Sequence, residues 1–170
     1  MSRVIRFSRV FPAYHPRRGE STNFPEQIWN SIQAIQKEFF INYYSIVNLN
    51  PGKEKEAELF WHSGKGDYSL LGSKHHTIRS GNRWKIGDKF SPRIWTGKPY
   101  ASKMITIAPD IEIEQIWTFE CDENGVISVG GFYCDTKTEK QIAKNDGLSL
   151  EDFKEWLVMP CFRSGKPFKG

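Results

Sequence analysis

Residues 4–11 alternate in character: Val4, Arg6, Ser8 and Val10 fall on one side, Ile5, Phe7, Arg9 and Phe11 on the other. That period of two predicts a strand with one wet face, closed by Pro12. A polar loop over 12–24 follows, and Asn23 with Pro25 opens a helix. Its Ile28, Trp29, Ile32, Ile35, Gln36 and Phe39 recur at three and four, which carries an amphipathic helix to about Glu38. Residues 39–47 are dense in aromatic and branched side chains and read as a strand. A turn around Pro51 and Gly52 leads to a short strand at 58–62, broken by Gly64, Gly66 and Asp67.

From Trp84 onward the pattern is β. Residues 84–90 read as a turn delivering the chain into a strand; Ile94 and Trp95, then Gly97-Lys98-Pro99, then 102–107 read as a hairpin. Residues 111–121 alternate for long enough to bend around a closed sheet, and Asn124-Gly125 is a hairpin signal leading into a strand at 126–133. Residues 138–144 predict a helical turn or two. Ser149 suits the N-cap of a helix over 150–158, with Asp152 at its third position, and Pro160 stops it. The Gly-, Pro- and Lys-rich end, 163–170, frays or covers an edge. Several short strands, one firm amphipathic helix and later helices predict an α+β fold: a small barrel or strongly bent sheet with helical additions and a ligand site at its mouth.

At 170 residues the chain is expected to form one domain, and 38% hydrophobic with 14% aromatic content is enough for a core. A formal charge of +4 allows a polyanionic ligand without resembling a basic tail. The near balance hides a local concentration. Residues 72–103 hold Lys74, Arg79, Arg83, Lys85, Lys89, Arg93, Lys98 and Lys103 against Asp88, flanked by Trp84, Trp95 and Tyr100. Cations interleaved with flat rings are what a phosphate-rich partner requires; a solvated basic surface is the alternative. Cys121, Cys134 and Cys161 form neither a disulfide framework nor a metal knuckle, which points to a reducing compartment. With no apolar run near the roughly 18 residues of a membrane span, a soluble cytoplasmic protein without a membrane partner is expected. The oligomeric state is not legible.

A hydroxyl needs a base to act as a nucleophile, and a lysine serves only where burial or a neighbouring cation lowers its pKa. Lys74 and Thr77 are three apart and would face opposite sides of an ideal strand, so pairing them requires a turn, for which Gly72 and Ser73 give freedom. Arg79 and Arg83 would supply the cation and the donors for an oxyanion or phosphate. On residues alone, an anion-binding loop and a catalytic dyad both stay open. Asp146-Gly147, ahead of Ser149, is either an Asx turn or a carboxylate delivered to Lys74 and Thr77. His15 beside Arg17 and Arg18 either contacts an anion or packs within its loop. His75 and His76 point apart in an extended segment; with no HExxH, Cys/His cluster, GxGxxG or P-loop, no metal and no cofactor are expected.

The run over 72–103 resembles the core motif of the ASCH domain family, within the PUA-like β-barrel superfamily. Gly72, Lys74, Thr77, Ile78 and Arg79 carry the likeness, with Trp84-Lys85-x-Gly87-Asp88-Lys89 behind them and Asn145-Asp146-Gly147 before the Ser149 helix. It covers roughly residues 70–158; residues 1–60 match less securely. The resemblance implies a PUA-like small β-barrel of five or six strands with rim helices, and a cleft binding RNA or a modified nucleoside. One branch of similar small bacterial members hydrolyses N4-acetylcytidine, its lysine and threonine matching Lys74 and Thr77 and its glutamate falling at Asp146. The Asp is one methylene shorter, and other relatives are described as RNA-binding or nucleolytic. The implied site therefore has Lys74, Thr77 and Asp146 as catalytic residues, and Arg79, Arg83, Lys98, Trp95 and Tyr100 as ligand contacts. Alternation and resemblance together place Phe7, Phe90, Ile94, Ile105, Ile113, Trp117, Phe119 and Val129 in the barrel core, with the Trp29/Ile32/Ile35 face packed on it.

Overall fold

The computed structural model describes residues 3–32, 36–47, 52–63 and 68–170. The chain divides into two compact units with interleaved segments: unit 1 is Met1–Arg9, Asn23–Gly72 and Lys89–Glu112, and unit 2 is Val10–Thr22, Ser73–Asp88 and Ile113–Gly170. Ile35, Pro51 and the predicted break at Gly64, Gly66 and Asp67 lie outside the described residues.

In unit 1, strand β1 (Arg3–Arg6) runs parallel to β2 (Lys89–Trp95), and β2 pairs antiparallel with β3 (Met104–Thr106) at one end and β4 (Ile111–Glu112) at the other. Ile5, Pro92, Ile94 and Ile105 turn one face of this sheet into the core. Three helices belong to the same unit: α1 (Phe24–Ser31), α2 (Lys37–Val47) and α3 (Glu54–His62). Trp29 of α1 is buried and its Nε1–H donates to the Ile107 carbonyl at 2.6 Å. The ring of Phe40 packs on Trp29, Phe60 and Trp61, and Tyr44 stacks on Phe60 at 4.5 Å.

That aromatic cluster explains two departures from the sequence reading. Residues 39–47 form helix α2 and not a strand, and 58–62 lie inside helix α3. Phe40 and Tyr43 sit three apart on one buried helical stripe, and this packing outweighs the β preference of the individual residues. The first helix also ends at Ser31 rather than near Glu38.

In unit 2, the sheet order is β7-β6-β5-β8, with β5 (Phe119–Cys121), β6 (Ile127–Val129), β7 (Phe132–Tyr133) and β8 (Phe168–Lys169). The end of the chain thus covers the β5 edge, one of the two outcomes expected of it. Asn124-Gly125 does turn the β5–β6 hairpin, but through a three-residue loop: Asp122 Oδ1 accepts from the Asn124 and Val126 N–H groups, and Gly125 takes φ 80°. The two-residue turn is Gly130-Gly131, both left-handed, between β6 and β7. Helices α4 (Thr136–Asn145), α5 (Leu150–Phe153) and α6 (Met159–Ser164) complete the unit, with a π-helical segment over Lys154–Val158. Phe119, Cys121, Ile127, Ala143, Phe153, Val158 and Cys161 form its core. Pro160 does not stop the helix. The residue four before it is Trp156, whose carbonyl lacks a donor from the proline and accepts instead from the Tyr14 hydroxyl at 3.3 Å.

The predicted PUA-like barrel is not formed: both sheets are open, and no closed barrel exists among the described residues. Closure needs each edge strand to find another edge. Here β3 and β4 occupy the same flank of β2 in succession, and β7 ends its sheet after two residues. The alternating run 111–121 is interrupted, so β4 and β5 serve different sheets. Trp117 within that gap is 59% exposed, against its expected place in the core, and Ile113 and Val129 are only half-buried. Phe7, Phe90, Ile94, Ile105 and Phe119 are buried, as is Trp29 of the helix face.

Candidate functional site

Lys74 lies in an irregular stretch of unit 2 that runs against the C-terminal end of α4. Helix ends leave carbonyls without internal donors, and they favour a nearby cation. Asn145 O accepts from the main-chain N–H of His75 at 2.7 Å and of His76 at 3.1 Å. Lys74 Nζ donates to Asp146 O and to Asp146 Oδ1, both at 2.5 Å. Asp146-Gly147 is therefore the exit of a helix. Gly147 N–H donates to Lys144 O and Leu148 N–H to Ala143 O, and Gly147 has φ 77°, which is the Schellman pattern of helix termination. An Asn-Asp-Gly-Leu sequence after a Lys-rich helix end is the signal that marks it.

Only 3% of the Lys74 side chain is exposed. Burial pulls its pKa below the ordinary lysine value and Arg79 adds to that, while Asp146 opposes both. Burial also pulls His76 down, with Asp146 opposing and Lys74 and His75 reinforcing. His76 Nε2 is buried and has no hydrogen-bond partner among the described residues. Thr77 is half-buried on the same stretch, Arg79 donates from Nη1 to the Ile78 carbonyl, and the exposed Arg83 places its guanidinium 5.6 Å from the Trp84 ring centroid. The structure thus joins Lys74 to Asp146. Among the described residues no group of three His, Cys, Asp or Glu side chains is arranged to hold a metal.

Trp95, Lys98 and Tyr100 belong to unit 1. The β2–β3 connection contains a β-turn closed by Ala101 N–H to Lys98 O at 3.2 Å, with Pro99 and Tyr100 at its two central positions. The Tyr100 ring packs at 5.3 Å on Trp95, and the Arg6 guanidinium lies 5.3 Å from the Tyr100 centroid. In the parallel β1–β2 ladder Arg6 is the register partner of Arg93. Ile5 and Ile94 point into the core, so Arg6, Arg93 and Trp95 share the opposite face. Arg93 Nε–H donates to Ser91 Oγ at 3.2 Å. Arg6 and Arg93 were not assigned to a site by the sequence. The alternation around Arg6 marks a wet face, but only the pairing of two remote strands sets the arginines side by side.

Residues 12–22 of the 12–24 loop belong to unit 2 and have a structural role there. Buried His15 accepts from the Arg17 N–H at Nδ1 (3.1 Å), so Nε2 carries the hydrogen and donates to Asp152 O at 3.2 Å. Arg17 pairs with Asp152 Oδ2 at 2.7 Å and Glu20 Oε2 at 2.8 Å, and its guanidinium covers Phe11. His15 stacks on Phe11 at 4.4 Å. Ser149 caps α5 as predicted, accepting from Asp152 N–H at 3.0 Å. No described helix is long and apolar enough to cross a membrane. Comparison with family models, curated proteins and solved structures finds no match to this chain.

Proposed function

We propose that this protein binds RNA or a nucleotide, in a reducing cytoplasm, through the face of the unit 1 sheet that carries the exposed Arg6 and the half-buried Arg93 and Trp95. The observation that carries this is the Arg6–Arg93 register pair. Two arginines on one sheet face offer forked donors to which a phosphate can make charge-assisted hydrogen bonds. Trp95 and Tyr100 beside the pair supply ring surface for a base. Lys74, buried against Asp146, is a poor phosphate contact by comparison.

The test is a fluorescence anisotropy titration with a labelled single-stranded oligoribonucleotide at salt rising from about 50 to about 200 mM. Affinity should fall with salt, and Arg93→Ala should lower the log–log slope by about one. A wild-type protein that binds no RNA or nucleotide at the lowest salt removes the reading.

A second reading, a metal-independent amidohydrolase acting on an N4-acetylcytidine-like base or a nuclease, is favoured by one observation: the buried Lys74 has its basicity lowered and a carboxylate in contact. In that chemistry Lys74 takes the Thr77 proton and the threonine oxygen attacks the amide carbon, while Arg79 or a main-chain N–H holds the oxyanion. The C–N bond then breaks as the exocyclic amine takes that proton, Asp146 orienting the lysine or shuttling the proton, and water releases acetate from the acyl-threonine. Loss of the acetyl group, followed alongside cleavage of ordinary RNA, tests it.

A further inference from the structure

We infer that Tyr100 is the residue on which an unpaired base stacks, and that the ligand of the unit 1 face is single-stranded rather than duplex RNA; this rests on the binding reading above. The turn at Lys98–Ala101 has Pro99 at its second position and a left-handed residue, φ 63°, at its third. A turn with proline second and positive φ third selects glycine or asparagine at that third place, because a Cβ is crowded there. This chain puts a tyrosine in it.

Backbone strain of this kind clusters at ligand-binding sites, and the strained Tyr100 is 79% exposed. Its contacts are with functional-looking neighbours on the same face: the Trp95 ring props it from the side at a 49° tilt, and the Arg6 guanidinium lies over it. The turn thus carries a wet aromatic ring, in contact with Trp95 and Arg6, beside two register-paired arginines. Interior duplex bases have both faces covered by their neighbours, so away from duplex ends only an unpaired base has a face to lay on this ring, while duplex and single strand alike offer phosphates to Arg6 and Arg93.

The experiment compares wild type, Tyr100→Gly and Tyr100→Phe, each titrated with a labelled oligouridylate and with the duplex it forms with oligoadenylate, and each melted thermally. Tyr100→Gly should weaken single-strand binding by about 10- to 100-fold, leave duplex binding within about twofold, and keep or raise the thermal midpoint. Tyr100→Phe should bind the single strand like wild type. The inference is overturned if Tyr100→Gly binds the single strand normally, if wild type prefers the duplex, or if Tyr100→Gly melts lower. The first of these outcomes leaves the Arg6–Arg93 reading standing. Wild-type protein that binds neither form removes both.

Discussion

Lys74 Nζ reaches two oxygens of one residue, the main-chain carbonyl and the Oδ1 of Asp146, and does so where helix α4 ends. Removing one partner of a buried ion pair strands the other charge. Asp146→Ala should therefore lower stability by about 3 kcal/mol, at the low end for such a loss because the carbonyl still accepts from the lysine. Lys74→Met with Asp146→Asn should cost less than the two single changes added together. Urea denaturation measures both. A loss well under about 1 kcal/mol for Asp146→Ala would mean that the pair does not hold α4 in place.

The catalytic alternative separates cleanly at Thr77, which is half-buried and outside that ion pair. If its oxygen is the nucleophile, Thr77→Ala should cut deacetylation by at least about a hundredfold with an unchanged melting temperature. Undiminished turnover in that variant removes Thr77 from the chemistry.

What was legible beforehand was local. The Ser149 cap, the β2–β3 hairpin and the Asn124-Gly125 hairpin each depend on residues a few positions apart, and each formed, the last with its loop anchored by Asp122. What failed depended on distant contacts. Residues 39–47 are helical because Phe40 meets Trp29 and Trp61 from other helices, which no window of sequence contains. The barrel failed because closure is a property of edges: the alternating run that would have wrapped it ends as β4 in one sheet and β5 in another. For the site, Lys74 and Asp146 were both visible as candidates, but 72 residues separate them and only the fold shows the contact. The Arg6–Arg93 pair required the parallel register of two remote strands.

The buried His15 ring ties its loop to α5 through the Asp152 carbonyl and braces the loop itself through the Arg17 N–H. His15→Phe keeps a ring beside Phe11 but leaves the Arg17 N–H and Asp152 carbonyl without it. A cost of about 2 kcal/mol is expected, with faster proteolytic cleavage near Arg17 and Arg18. Cleavage no faster than in wild type would show that the Arg17–Asp152 pair holds the loop unaided.

Two groups whose pKa burial shifts, the half-buried His76 and the buried Glu26, should give stability opposite responses to pH. His76 has its pKa lowered from 6.5 by burial, so between that value and its folded one the unfolded chain binds more protons. Its contribution is complete above about 6.5 and is lost as pH falls towards the folded value; Asp146, which faces it, works against the shift, and Lys74 and His75 work with it. Glu26 is raised from 4.5 by burial, with Tyr43 donating to its Oε1 at 3.0 Å and Oε2 buried without a partner among the described residues. There the folded chain holds the extra proton, so the contribution is complete below about 4.5 and is lost as pH rises through the folded value. Urea unfolding across pH separates the two. The wild-type margin over His76→Gln should shrink as pH drops below about 6.5, while the margin over Glu26→Gln should shrink as pH climbs above about 4.5. A margin that stays flat across its window would mean that the group titrates alike in the folded and unfolded chain, and that its burial is relieved by water reaching the site.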